Sequence, residues 1–223
     1  MRDYTLIRSE RKTAVLRIRD GQPEVHAPMR MPKSRIDEFV ALKEDWIVKK
    51  LAESEERRIS RENFNLNYGD LIRYRGETFP ITAVDDGGIG FDGERFYMPP
   101  GLSSDEIKQN CIKIYRDLAM EYLSERTRVY AEQMSVEPAL VKISNAQKKW
   151  GSCYASKRIT FVWRLMMADD GAIDYVVVHE LAHLVHMNHS PQYWAVVESV
   201  MPDYRERKKR LAQLAKSLRF ENW

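Results

Sequence analysis

His179 and His183 stand four residues apart inside the apolar run VVVHELAHLVHMNH, with Glu180 directly after the first of them. Four of the chain's five histidines fall in this one stretch. On an α-helix that spacing puts both imidazoles on one face, with their β-carbons ~6 Å apart. A fold that makes this run a helix must therefore give that face something to meet. One option is that core hydrogen bonds satisfy both rings. The other is a shared metal ion, which two imidazoles at this spacing can grip. Glu180, three residues before His183, lies beside the same face and reaches a water on such an ion without being a ligand. Zinc would lower that water's pKa to about 7, and the glutamate would take its proton as general base.

A catalytic zinc needs a third protein ligand and an open fourth position. His186 shares the face but lies seven residues past His179, ~10.5 Å along the axis, too far to share one ion. His189 follows Asn188, which tolerates left-handed backbone, and precedes Ser190-Pro191, a good N-cap and first-turn pair. A turn at Asn188 would bring His189 back towards the helix. Its separation of six from His183 equals that in H-E-x-x-H-x-x-G-x-x-H, although His186 stands where that pattern has its turn glycine. Glu198, on the helix that follows, is the other candidate for third ligand. Asp174 is the expected cap of the metal helix.

The rest of the chain divides by period. TAVLRIRDGQPEVHAP alternates and turns at Asp20-Gly21, which predicts a hairpin. Residues 34–60 change to a helical period, with Ser34 and Asp37 as the N-cap pair. Strand patterns return over 66–98, punctuated by Arg75-Gly76 and Asp86-Gly87-Gly88. The Gly-Gly-Ile-Gly run there lies between two strand patterns, whereas a phosphate-binding loop follows a strand and opens a helix. After MPPGLSS, Ser103 and Glu106 form a capping box for a helix to about Ser135, with Ile107, Cys111, Ile114, Leu118 and Tyr122 on its buried stripe. ALVKISN and RITFVWRLMMA then read as strands. The expected division is 1–102, strand-rich with one long helix, and 103–223, which holds the histidines.

Composition narrows the class. An apolar share of 43% against 31% charged suits a globular chain, and no transmembrane segment is visible. The opening MRDYTLIRSERK lacks the apolar stretch of a signal peptide, and Cys111 and Cys153 are too few for a disulfide framework. A cytoplasmic protein with free thiols is expected. A net charge of +3 does not by itself argue for nucleic acid. The basic helix DYRERKKRLAQLAKSLR, 203–219, reads first as a solvated face. WGSCY is similar to the nucleophile region of papain-like proteases, but Trp150 stands where that motif has a cysteine. Cys153 is therefore read as a packed or metal-adjacent thiol, and Lys148, Lys149 and Trp150 as candidates to line the cleft.

KKWGSC, then RITFVWRLMMA, then IDYVVVHELAHLVHMNHSPQYW, in this order, resemble the YgjP-like metal-dependent hydrolases, relatives of the WLM and SprT-type zincins. The resemblance is strong over 145–205. It implies an α+β fold: a zincin-like metallopeptidase domain with an HExxH active-site helix, preceded by a strand-rich N-terminal region. It also implies one Zn2+ per chain held by His179, His183 and His189, with Glu180 as catalytic acid and base. Peptide or protein is the leading substrate, with RITFVW as the edge strand that an extended substrate would join. Tyr193, His186, Tyr154 and Arg164 are candidates to stabilise the transition state, and Lys149 and Trp150 to contact substrate. The alternative is metal-dependent hydrolysis of a nucleoside triphosphate such as UTP, its phosphates held by Lys148, Lys149, Arg158 and Arg164. A third possibility is a nucleic-acid-associated module, in which the basic 205–219 helix and the strand-rich N-terminal half would bind.

Overall fold

A computed structural model describes residues 3–85 and 87–223; Asp86, in the expected Asp86-Gly87-Gly88 turn, lies outside them. The chain divides into two compact units, Met1–Phe64 with Arg219–Asn222, and Asn65–Leu218 with Trp223.

In the first unit, β1 (Thr5–Ser9), β2 (Val15–Arg19) and β3 (Gln22–Pro28) make a sheet in the order β1-β3-β2. The β2–β3 hairpin turns at Asp20 and Gly21, whose φ values of 48° and 74° are those a two-residue type I′ turn demands. The helical stretch is two helices, α1 (Lys33–Ala41) and α2 (Glu44–Glu62), broken at Leu42-Lys43. Ser34 does not cap it. Helix α1 begins after Pro32 without a side-chain cap, and Asp37 instead accepts from Tyr4 Oη (2.6 Å) and Lys33 Nζ (2.5 Å). Val25 and Ala27 of β3 pack on Ile36, Val40 and Ile47 to form this unit's core.

The second unit holds the histidines. Strands β4 (Leu71–Tyr74), β5 (Glu77–Ala83), β6 (Gly90–Phe91) and β7 (Phe96–Met98) form a sheet in the order β4-β5-β7-β6. The Gly-Gly-Ile-Gly run leads into strand β6 and not into a helix. Helix α3 (Ser104–Gln133) starts with the expected capping box of Ser103 and Glu106. Its buried positions run Ile107, Cys111, Ile114, Tyr115, Ala119, Leu123, Thr127 and Ala131. Leu118 and Tyr122 are only half-buried. A four-residue repeat drifts around a 3.6-residue helix, so this long helix presents different faces along its length.

The break expected after residue 102 falls inside this second unit. Strands 71–98 belong with α3: the Tyr115 hydroxyl donates to the Arg73 carbonyl, and the Phe96 and Tyr115 rings lie 5.2 Å apart. The Pro-Gly segment before α3 makes a turn, with Gly101 at φ 79°, and separates no packed bodies.

Three strands follow: β8 (Leu140–Ser144), β9 (Gly151–Cys153) and β10 (Arg158–Val162), in the order β8-β10-β9. RITFVW is thus the central strand, with β8 parallel on one side and β9 antiparallel on the other. The edge is β9. A 3-10 turn, Trp163–Met167, leads to α4 (Asp170–Ala182), then α5 (Pro191–Val200) and α6 (Tyr204–Ser217).

Helix α4 is apolar on all sides and buried through most of its length, as a helix in the middle of a unit must be. Its cap is Asp169, whose carboxylate accepts from the Ala172 amide at 3.1 Å, and not Asp174. Asp174 lies one turn further in, buried, where it pairs with Arg126 (2.7 and 2.8 Å) and accepts from the Tyr130 hydroxyl (3.0 Å). An ion pair with both oxygens engaged is how a helix interior tolerates a carboxylate. Among the described residues no helix is long and apolar enough to cross a membrane, and both cysteines are free.

Candidate metal centre

Helix α4 stops at Ala182, with His183 as its C-cap in helical backbone geometry. The chain leaves through a tight turn: the amides of Val185 and His186 both bond the Ala182 carbonyl, at 3.1 and 3.0 Å. The reversal therefore comes before Asn188, which is not among the residues of positive φ. Ser190 then caps α5 by accepting from the Tyr193 amide at 3.3 Å, with Pro191 in the first turn. These two turns return His189 to the end of α4.

One ligand atom from each of His179, His183 and His189 lies within 4.8 Å of the other two. Nε2 of His179 and Nε2 of His189 face each other at 3.2 Å. Zinc at ~2.0–2.1 Å from each nitrogen sets a tetrahedral edge of ~3.3–3.4 Å, so the pair suits that ion. His183 Nδ1 donates to the His186 carbonyl at 3.2 Å, which sets the tautomer and leaves the Nε2 lone pair available to a ligand. Burial first, then the neighbouring His183 and His189, pushes His179 down to about 3. Burial likewise lowers His183. Neutral imidazoles are the form that binds a metal. Glu198 does not join the cluster; it is half-exposed and paired with Arg205 at 2.7 Å.

Beneath the rings lies Tyr193, fully buried, its centroid 4.7 Å from those of His183 and His189 and 5.5 Å from that of His179. Its hydroxyl donates to the His179 carbonyl at 2.8 Å. With that hydroxyl engaged, Tyr193 supports the three imidazoles and does not face a reactant. Tyr193→Phe is therefore expected to cost about 1 kcal/mol of stability, the usual contribution of one hydrogen bond, in urea unfolding. Loss of a transition-state donor would instead show as a ~10²- to 10³-fold fall in turnover. Trp194 stacks on His189 (5.6 Å) and on Tyr204 (5.3 Å), which holds the exposed His189 ring in place.

A cavity of about 630 Å³ opens beside the cluster, walled by β9 on one side and α6 on the other. Of the sequence candidates for substrate contact, Lys149 and Trp150 line it. Tyr193, His186, Tyr154 and Arg164 do not: Arg164 donates to the Ala146 carbonyl at 3.0 Å, and Tyr154 lies under the Arg158 guanidinium at 4.1 Å. Lys208, Leu211, Ala212 and Ala215 of α6 do line it, which the amphipathic pattern of a solvated helix did not reveal.

Glu180 is 5% exposed, and burial raises its carboxyl to about 7 against the opposing pull of Lys149 and the Cys153 amide. The Cys153 thiol lies on the cavity wall and is itself raised by burial and by Glu180, so it is no ready thiolate nucleophile. Glu180 is placed by a glycine. A β-carbon on Gly151 would stand 2.6 Å from Glu180 Oε1 and 2.7 Å from its Cγ, so only a residue without one lets the carboxylate lie against β9. In WGSC this need cannot be seen, because it arises from a residue on another element. Gly151→Ala is expected to push the carboxylate aside and cut turnover by about 10²-fold, the usual cost of ~1 Å misplacement, with metal content unchanged. Parallel kinetics and elemental analysis check this, and wild-type turnover would mean that the close approach of Gly151 to Glu180 does not matter to activity.

A family model described as YgjP-like, metallopeptidase domain, matches residues 12–214. The chain is also similar to the metallopeptidase zymogen of Pyrococcus abyssi abylysin, at 21% identity and a TM-score of 0.39, over 41% of this chain and 92% of that one. No curated protein matches.

Proposed function

Because this chain belongs to the YgjP-like metallopeptidase family and is thus a metal-dependent hydrolase, we propose that it cleaves peptide bonds with one zinc ion per chain, held by His179, His183 and His189. The observation that carries this reading is the convergence of three imidazoles beside a buried carboxylate. When bound, the ion supplies Lewis acidity at the scissile carbonyl. Glu180 takes a proton from the attacking water and returns it to the departing amine. A carboxyl near 7 serves both directions at neutral pH. Tyr193 and Trp194 keep the imidazoles aligned. Lys149 and Trp150 contact the substrate from the β9 side. An extended peptide would add to the free edge of β9; the family resemblance gave that role to RITFVW, but β10 is the central strand.

Of the four cations that would serve a nucleoside triphosphate, only Lys149 reaches the cavity, which favours peptide. The two free cysteines agree with a reducing, cytoplasmic location. Incubating the zinc-loaded protein with casein and, separately, with UTP tests the proposal. Cleavage of casein is expected; release of pyrophosphate from UTP with casein left intact would overturn it.

A further inference from the structure

Helix α6 carries a run of basic residues, and most of them are engaged. Arg205 pairs with Glu198 (2.7 Å), Arg207 with Asp203 (2.9 Å), Lys209 with Glu206 (3.7 Å) and Arg210 with Asp169 (3.1 Å). Lys208 stands between them with no carboxylate partner among the described residues. Its Nζ lies 5.1 Å over the Trp194 ring, and that ring stacks on His189. The charge is therefore held at the metal end of the cavity. Along the same face, at helical steps of three, four and seven, come Leu211, Ala212 and Ala215, all on the cavity wall. The stripe is ~10.5 Å long, the reach of about three extended residues, and its alanines leave room for a larger apolar group. Among the described residues the one carboxylate on the wall, Glu180, is committed to proton transfer in the reading above.

We propose that Lys208 sets substrate selectivity: it receives a carboxylate of the peptide close to the scissile bond, while Leu211, Ala212 and Ala215 hold an adjoining apolar side chain. Two sources share this chemistry, an acidic side chain and a free C-terminus. The inference rests on the peptidase reading for what is bound, but binding can be measured without turnover. A lysine ammonium is a point charge that accepts either carboxylate without the two-pronged geometry an arginine would impose. Electrostatic selection of this kind weakens with added salt.

The zinc-loaded 223-residue chain, titrated by calorimetry with matched probes, tests the assignment. One pair is acetyl-Leu-Glu-Leu-amide and its glutamine analogue, and the other is acetyl-Gln-Leu with a free or amidated C-terminus. At least one acid is expected to bind about fivefold more tightly than its neutral mate, the effect of a good solvent-facing ion pair, and the favoured pair identifies the source. Lys208→Ala should bring that ratio to one, Lys208→Glu should invert it, and Lys208→Arg should keep it. Hydrolysis of the same peptides should show the ratio in KM, not kcat. Equal binding of acid and neutral mates by wild type, or the same ratio in Lys208→Ala, overturns the proposal. So does UTP binding that depends on Lys208 while peptide binding does not. A ratio that follows Lys208 in binding without any peptide being cut would sink the peptidase reading and leave the carboxylate subsite standing.

Discussion

Glu180→Gln is expected to lower peptide hydrolysis by about 10²- to 10⁴-fold without emptying the metal centre. The amide keeps the shape of the side chain and the fit against Gly151, so the variant isolates the proton transfer from the packing. Glutamine cannot accept a proton from water, and among the described residues no other carboxylate lines the cavity to replace it. The Cys153 thiol is held in its neutral form, and the Lys149 and Lys208 ammonium groups have no lone pair to offer. Stability should not suffer. Glu180 is 5% exposed, and an uncharged group there removes the cost of burying a carboxylate. The check is turnover on casein at equal zinc content, with melting curves alongside. Turnover within tenfold of wild type would remove Glu180 from the mechanism.

Features decided by a few neighbouring residues were legible in the sequence. The H-E-x-x-H helix, the Ser103–Glu106 capping box and the Asp20-Gly21 hairpin each follow from spacing and local backbone preference. What was not legible depended on partners far along the chain. Helix α4 is apolar on every side, so no amphipathic phase marks its first turn; Asp174 looks like a cap when only Arg126, 48 residues away, explains it. Strand order is equally nonlocal. RITFVW and GSC read alike as short strands, and only pairing puts β10 in the middle and β9 at the edge. The break at the Pro-Gly segment was inferred from composition, whereas the packing of Tyr115 and Phe96 joins both sides of it. Lys208 is one cation among several until the partners of its neighbours are known.

Replacing His189 tests the centre from the opposite side. With His189→Ala only two imidazoles remain, and zinc affinity is expected to fall by more than the ~10–100-fold typical of losing a supporting hydrogen-bond partner. The imidazole is the exposed member of the three and is held from outside, by the Trp194 ring and by the turn that Ser190 caps, so its removal opens no core cavity. The fold should survive while the ion is lost. Glu198→Ala is the control. It breaks an ion pair with Arg205 in which the two side chains are 48% and 65% exposed, a contact that contributes ~0–1 kcal/mol, and zinc content should stay at one per chain. Elemental analysis of both variants, followed by competition against a chelator, reads the difference directly. If Glu198→Ala empties the site and His189→Ala leaves it filled, the third ligand is the carboxylate of α5, and the turn after His183 has some other purpose.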